Sequence, residues 1–253
     1  MIPNAEGLAR EDRDRSTVPI LALDVPTPER ALALVGEIPG ALWVKVGLQL
    51  FTASGPGVVR ALRERGHRVF LDLKLHDIPN TVARAVEAAA ALEVELLTVH
   101  ASGGSAMLRA AQAAAGGAGG PRLLAVTLLT SLSGAEVGEA WGRAAVSPVV
   151  EVRRLAALAR EAGLAGVVAS VHEVPQIREE AGAELLVLTP GIRLAGDDAG
   201  DQARVATPAE AARLGIDFIV IGRTVTAAPD PAAAWARVEE GILRGARGVQ
   251  RSP

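Results

Sequence analysis

The sequence predicts a single-domain α/β protein in which eight parallel strands close into a barrel inside a ring of helices. Three observations carry that prediction. Short Val/Leu/Ile-rich runs alternate along the chain with longer Ala/Leu/Arg/Glu segments of helical period, the pattern of repeated βα units. The strand runs are almost continuously apolar, as parallel strands covered on both faces are, and the number of units is the one that closes a barrel. The length of 253 residues also suits a (β/α)8 TIM barrel. Two smaller domains fit the same length, and a doubly wound open sheet fits the same alternation. Against the open sheet, neither G-x-G-x-x-G nor a Walker A sequence follows the first strand.

Taken in order, the chain starts with a polar tail, Met1–Thr17, that carries Arg10-Glu11-Asp12-Arg13-Asp14-Arg15. A secretory signal would need an apolar stretch behind its positive charges, so a cytoplasmic address is expected. The barrel domain is expected over Val18–Leu243, with Arg244–Pro253 as a C-terminal tail. Strands are expected to begin near Val18, Ala41, His67, Glu95, Arg122, Ala165, Glu184 and Asp217. Helices are expected near Pro28–Glu37, Gly57–Arg65, Thr81–Leu92, Ser105–Ala115, Pro148–Ala162, Glu173–Ala181, Pro208–Leu214 and Pro231–Leu243. Thr27-Pro28, Ser147-Pro148 and Thr207-Pro208 each supply a cap and a first-turn proline. Two connections are long: Ser131–Val146 after the fifth strand and Gly191–Val205 after the seventh. The second is rich in Gly, Asp and Arg, as lids often are. Loops that follow barrel strands lie on the face that carries chemistry.

Composition excludes several functions. No apolar run approaches the roughly 20 residues that span a bilayer, so no membrane contact is expected. The chain has no cysteine, which rules out disulfides, thiolate catalysis and zinc–thiolate sites. A net charge of −3 with 2% aromatic residues leaves neither a basic footprint nor stacking rings for nucleic acid. Any phosphate must therefore be held by a local site.

One bias is sharper. Of the 26 cationic residues only Lys45 and Lys74 are lysine, and every other one is arginine. Arginine replaces lysine wherever the two are interchangeable, and they are not where a compact ammonium must donate a proton or fit a tight polar cluster. Surface placement is the bland alternative, but Trp43-Val44-Lys45-Val46-Gly47 and Phe70-Leu71-Asp72-Leu73-Lys74-Leu75 both read as buried strands. Alternation puts Asp72 and Lys74 on one side and Leu71, Leu73 and Leu75 on the other. The polar pair should face the barrel axis, because the opposite side packs against helices. Lys45, on the neighbouring strand, can reach the same mouth, and Asp77 lies just past the strand end. Opposite charges would keep both lysines ionised. A purely structural ion network is the alternative, yet buried pairs add little stability and cluster at functional sites.

The segment Asp72–Thr81 resembles the D-x-K-x-H-D-I-P-x-T signature of bacterial orotidine 5′-phosphate decarboxylases. The resemblance runs from Val18 to about Gly241, with landmarks at Leu21-Ala22-Leu23-Asp24, Val44-Lys45-Val46-Gly47, Leu129-Thr130-Ser131, Thr189-Pro190-Gly191-Ile192-Arg193, Asp201-Gln202-x-Arg204-Val205 and Ile221-Gly222-Arg223. It implies conversion of orotidine 5′-phosphate to uridine monophosphate (UMP) and carbon dioxide in pyrimidine biosynthesis, without cofactor or metal. Lys74 would protonate C6 of the pyrimidine, and Asp72 would sit against the scissile carboxylate. Lys45 would hold the cluster and contact the ribose, and Asp24 would accept a ribose hydroxyl. Thr130 would lie near the pyrimidine. Arg193, Gln202, Gly222 and Arg223 would hold the phosphate, which barrel enzymes commonly bind after strands seven and eight. In the family Asp77 and Thr81 complete the other subunit's site, so a homodimer is implied.

Among the histidines, His76 lies inside the signature and reads as packing or hydrogen bonding, His100 ends the fourth strand near the mouth, and His67 and His172 read as structural. Asp72, Asp77 and a histidine could hold a divalent cation, but the intervening lysine already neutralises the carboxylates. The nearest alternative is a related magnesium-dependent barrel acting on sugar phosphates, which shares D-x-K-x-x-D. The His-Asp-Ile-Pro-x-Thr continuation and Lys45 favour the nucleotide enzyme. A regulatory barrel that binds pyrimidine nucleotides without turnover would not need the charged cluster.

Overall fold

The computed structural model describes residues 17–144, 146–194 and 205–249. Strand β1 (Val18–Ala22) leads to helix α1 (Pro28–Glu37), and β2 (Trp43–Gly47) to α2 (Leu48–Ser54) and α3 (Gly57–Glu64). Next come β3 (Arg68–Leu75) with α4 (Pro79–Ala90) and β4 (Leu96–His100) with α5 (Gly104–Ala114). The fifth unit is β5 (Arg122–Val126) with α6 (Gly134–Ala140) and α7 (Pro148–Glu161), and the sixth is β6 (Gly166–Val168) with α8 (Val174–Ala181). The chain ends with β7 (Leu186–Thr189) and α9 (Pro208–Arg213), then β8 (Phe218–Ile221), α10 (Arg223–Thr226) and α11 (Pro231–Val249). All strand pairs are parallel and β8 pairs with β1, so the sheet closes in chain order. This is the (β/α)8 TIM barrel expected, and each strand starts at or just after its expected residue.

Alternation sorts the strand side chains into two cores. Ile20, Trp43, Phe70, Leu96, Leu124 and Phe218 fill the barrel interior. Their neighbours Leu21, Val44, Leu71, Leu97 and Ile219 pack outward against the helices. Each large side chain fully buried in this way contributes on the order of 1.5–3 kcal/mol. At the end of the barrel where strands start, cations lie on rings: the Arg68 guanidinium stands 4.6 Å from the Trp43 ring centre, and Arg122 5.4 Å from that of Phe218. A cavity of about 310 Å³ opens at this end, between Val18, Arg122, Glu184, Asp217 and Phe218.

Several local signals act as the sequence suggests. Thr27 Oγ1 accepts from Arg30 N–H, and Thr207 with Glu210 forms a reciprocal capping box at α9. Ser147 differs: Pro148 opens α7, but the serine side chain makes no cap bond. The long connection after β5 is partly folded, because Ser133 and Glu136 form a capping box that starts α6. Its far end is tied down by Arg143, which donates at 2.8 Å to Glu151, a buried carboxylate on α7 that also accepts from Arg154 at 2.8 Å. Burial alone would push the Glu151 carboxyl up, but hydrogen bonds and charge from the two arginines hold it below its usual value.

The last helix runs past Leu243 to Val249, so most of the expected C-terminal tail is helical. Gly241 and Gly245 are where α11 presses on α9. A Cβ at Gly245 would stand 2.3 Å from the Ala209 carbonyl oxygen, and one at Gly241 3.2 Å from Pro208. Among the described residues no helix is long and apolar enough to cross a membrane.

Inside the barrel, Gly166 makes room for its neighbours. A Cβ there would meet the Leu186 carbonyl oxygen at 2.4 Å and the Leu124 side chain at 2.9 Å. Both neighbours are ladder partners of Gly166, so neither can move aside without breaking the sheet register. Gly166→Ala is therefore expected to destabilise the protein by about 1–3 kcal/mol, measured by urea unfolding. An unchanged midpoint would show that the interior is not filled at this point.

Candidate active site

The polar groups gather where the apolar interior ends, at the C-terminal mouth. On β1, β2 and β3 the inward positions run Ile20-Ala22-Asp24, Trp43-Lys45-Gly47 and Phe70-Asp72, so one residue beyond the core each strand turns from apolar to charged or small. Lys45 Nζ donates to Asp24 Oδ1 at 2.7 Å and lies 3.9 Å from Asp72 Oδ2. Lys74 Nζ donates to the same Asp72 oxygen at 2.7 Å. The result is a chain of alternating charge, Asp24–Lys45–Asp72–Lys74. Side-chain exposure grades along it, 60% for Asp24, 10% for Lys45, 13% for Asp72 and 29% for Lys74, so its centre is dry and both ends are open.

Simple alternation is not the whole reason that Asp72 and Lys74 meet. Leu71 pairs with Leu97 and Leu75 with Val99, so Asp72, Leu73 and Lys74 on β3 oppose Thr98 alone on β4. This is a bulge, and Lys74 sits within it in the left-handed region at φ 50°, a conformation that costs a non-glycine residue energy. The buried Thr98 hydroxyl fills the gap in the ladder. It accepts from Lys74 N–H at 2.9 Å and donates to Asp72 Oδ1 at 2.9 Å.

Gly47 is the other residue that sequence reasoning passed over as a site position. A Cβ there would stand 2.8 Å from Lys45 Nζ and 3.2 Å from Asp24 Oδ1. Its place in Val44-Lys45-Val46-Gly47, on the same strand face as Lys45, was the available signal. For Thr98 the signal was weaker: a polar residue at an inward position, between Leu96 and His100.

The remaining predicted positions lie around this centre. Asp77 is exposed, accepts from Ile78 N–H at 2.6 Å, and makes no ion pair with a described residue. Thr81 is exposed on the first turn of α4. Neither joins the lysine cluster of its own chain. Thr130 is half-buried in the turn after β5. Arg193, half-buried after β7, donates to the Ile192 carbonyl at 2.9 Å. Gly222 and Arg223 stand at the junction of β8 with α10, and Leu194 N–H donates to Thr224 Oγ1 at 3.2 Å, which fastens the loops after β7 and β8 together. Gln202, and most of the long connection read as a lid, lie outside the described residues.

His67 is structural, its Nδ1 3.0 Å from the Ala41 carbonyl. The rings of His76 and His100 lie 5.2 Å apart beside the cluster.

Residues 17–238 match the model of the family described as "Orotidine 5'-phosphate decarboxylase / HUMPS family". The chain belongs to this family. Among curated members, the orotidine 5′-phosphate decarboxylase of Moorella thermoacetica is 53% identical over 228 residues, covering 85% of this chain and 88% of that protein. The enzyme of the same name from Pectobacterium atrosepticum is 44% identical and covers 95% of this chain and 98% of its own. A crystal structure of orotidine 5′-phosphate decarboxylase from Lactobacillus acidophilus superposes with a TM-score of 0.78 at 36% identity, covering 90% of this chain and 99% of that one. The family thus takes in the whole barrel and the mouth where its charged residues gather.

Burial pushes the His100 imidazole below its usual value of 6.5; charge on His76 and Lys74 adds to the effect and Asp72 opposes it. The folded protein therefore binds fewer protons at His100 than the unfolded chain does just below pH 6.5, so stability rises with pH through that window and falls on acidification. Replacing His100 with Gln should flatten this slope when unfolding midpoints are compared between about pH 7.5 and 5.5. Parallel slopes for the two proteins would remove His100 as the source.

Proposed function

We propose that this protein decarboxylates orotidine 5′-phosphate to UMP within pyrimidine biosynthesis, using its own charged side chains and no metal. The observation that carries the reading is the shared Asp72 carboxylate, held between Lys45 and Lys74 at the dry centre of the mouth. In the reaction the bond between C6 and the carboxylate carbon breaks, carbon dioxide leaves, and the electron pair stays on C6. A carbanion with no adjacent π-acceptor is high in energy, so the site must place positive charge where that pair develops. Lys74 is suited to it. Its ammonium is fixed by Asp72 and partly shielded from water, which strengthens an interaction that exists fully only in the transition state. Proton transfer from Nζ to C6 completes the product, and the neutral amine regains its proton from water.

Asp72 faces the carboxylate that leaves, and loss of its charge as carbon dioxide relieves any repulsion between the two. Asp24, largely exposed at the end of the charge chain, is open to a ribose hydroxyl, with Lys45 between it and the chemistry. Thr130 would lie by the pyrimidine. Arg193, Gln202, Gly222 and Arg223 would take the phosphate, and the Leu194–Thr224 bond supports this by joining the two loops that carry them. Binding energy from so remote a group can be used to close the loop after β7 over the base.

The active form would be a homodimer. Asp77 and Thr81 are exposed and form no ion pair or hydrogen bond with their own lysines, and the adjoining Ile78 is 67% exposed, a poor arrangement for a monomer but a good one for completing a partner's site.

With EDTA present, the wild-type protein should convert orotidine 5′-phosphate to UMP, followed by ultraviolet absorbance, and Lys74→Ala should lower kcat by about 10⁴-fold or more. Activity abolished by EDTA would favour the magnesium-dependent sugar-phosphate branch instead. Subunit sharing is tested by mixing two inactive variants, Lys74→Ala and Asp77→Ala. Exchange of subunits should restore activity, because one site in each hybrid then has both native residues. A mixture as inactive as its parts, despite demonstrated exchange, would place both residues in one chain's site.

A further inference from the structure

We infer that Thr98 is a positioning residue for the decarboxylation, acting through Asp72 and Lys74 without touching the substrate. The inference rests on the catalytic reading above and goes beyond it. Three facts point the same way. Thr98 is fully buried and stands alone opposite the three bulged residues of β3. Its one hydroxyl proton goes to Asp72 Oδ1, which leaves Asp72 Oδ2 to the two lysines. Its oxygen also takes the Lys74 N–H, which the bulge has withdrawn from the regular β3–β4 ladder.

These bonds fix two separate degrees of freedom. A carboxylate on a strand can rotate about its Cβ–Cγ bond, and rotation would carry Oδ2 away from both Nζ atoms. The Thr98 hydroxyl sets that rotation. A lysine held at positive φ can relax towards the extended region, and relaxation would swing its side chain off the axis. The N–H bond to Thr98 opposes that relaxation. A single hydroxyl thus sets the carboxylate plane and the lysine backbone together, and neither task can be done by an apolar side chain of the same shape. Along the inward face of β4, Thr98 stands between Leu96 of the apolar core and His100 at the mouth, and its hydroxyl is the group that meets both Asp72 and Lys74.

The test compares Thr98→Val, which keeps the shape and removes the hydroxyl, with Thr98→Ser, which keeps the hydroxyl. Misplacement of reacting groups by about 1 Å can cost on the order of 10²-fold in rate. Thr98→Val should therefore lose about 10²-fold in kcat, with KM and the affinity for UMP changed by about twofold or less, while Thr98→Ser stays near wild type. A purely structural role would instead lower thermal stability and the yield of active protein without this split between kcat and KM. If Thr98→Val is insoluble, Thr98→Cys replaces it: serine and cysteine are close in size, but the thiol is a weak hydrogen-bonding group. Equal kcat for the Ser and Cys proteins, or wild-type kcat in a folded Val protein, overturns the proposal. A crystal structure of the Val or Cys variant reads positioning independently of turnover. The expected result is an Asp72–Lys74 contact lengthened beyond salt-bridge distance, and an unchanged contact with Lys74 still at positive φ overturns it. Failure of the decarboxylase reading would appear separately, as absence of turnover in the wild-type protein.

Discussion

Everything at the mouth of this barrel depends on one carboxylate shared by two ammonium groups. Asp72 is 13% exposed and Lys45 10%, so these charges have largely left water. Each could be accommodated there only with a partner of opposite sign and with its remaining hydrogen-bonding capacity satisfied. The chain Asp24–Lys45–Asp72–Lys74 meets that requirement by alternation, and Thr98 takes the last carboxylate oxygen. An arginine could not substitute for either lysine without placing a planar fork where a compact head is needed. The survival of lysine at these two positions alone is consistent with the same geometry.

The barrel supplies what a cluster of this kind needs from below. Its apolar interior, from Trp43 and Phe218 up to Phe70 and Leu96, ends one layer beneath the charges. Close packing of that layer keeps the strands in register, and the register brings Gly47 opposite Asp72. Gly47 shows how little spare room there is, since even a methyl group would meet Lys45 Nζ. The strained backbone at Lys74 belongs to the same economy of space. A bulge on β3 delivers a side chain that a regular strand would aim differently, and the surrounding hydrogen bonds hold it there.

The loops divide into those fixed by the scaffold and those set at the rim. The connection after β5 is fastened through Arg143 and Glu151, and those after β7 and β8 are joined through Leu194 and Thr224. The segment after β3 is different: Asp77, Ile78 and Thr81 are exposed and make few contacts with their own cluster. A fixed centre with an outer wall left open by its own chain fits the subunit sharing proposed above.

Hydrophobic period, helix caps and the order of βα units were local properties, and they were enough to determine the barrel, its strand starts and the short list of charged residues at its mouth. The motif around Lys74 was legible for the same reason, being contiguous. What the sequence did not reveal were relations between segments distant in the chain. Sequence alone did not single out Thr98, whose role appears only when β4 is laid against the bulge in β3. The helix expected to stop at Leu243 runs on to Val249, and the sequence did not show that Gly241 and Gly245 are where it presses against α9. Alternation suggested that Asp72 and Lys74 share a face, but only the folded sheet introduced the left-handed turn at Lys74 that brings them together. Composition and periodicity act through neighbours in sequence, whereas a hydrogen bond across strands or a close helix contact depends on register. Register is settled only when the whole barrel closes.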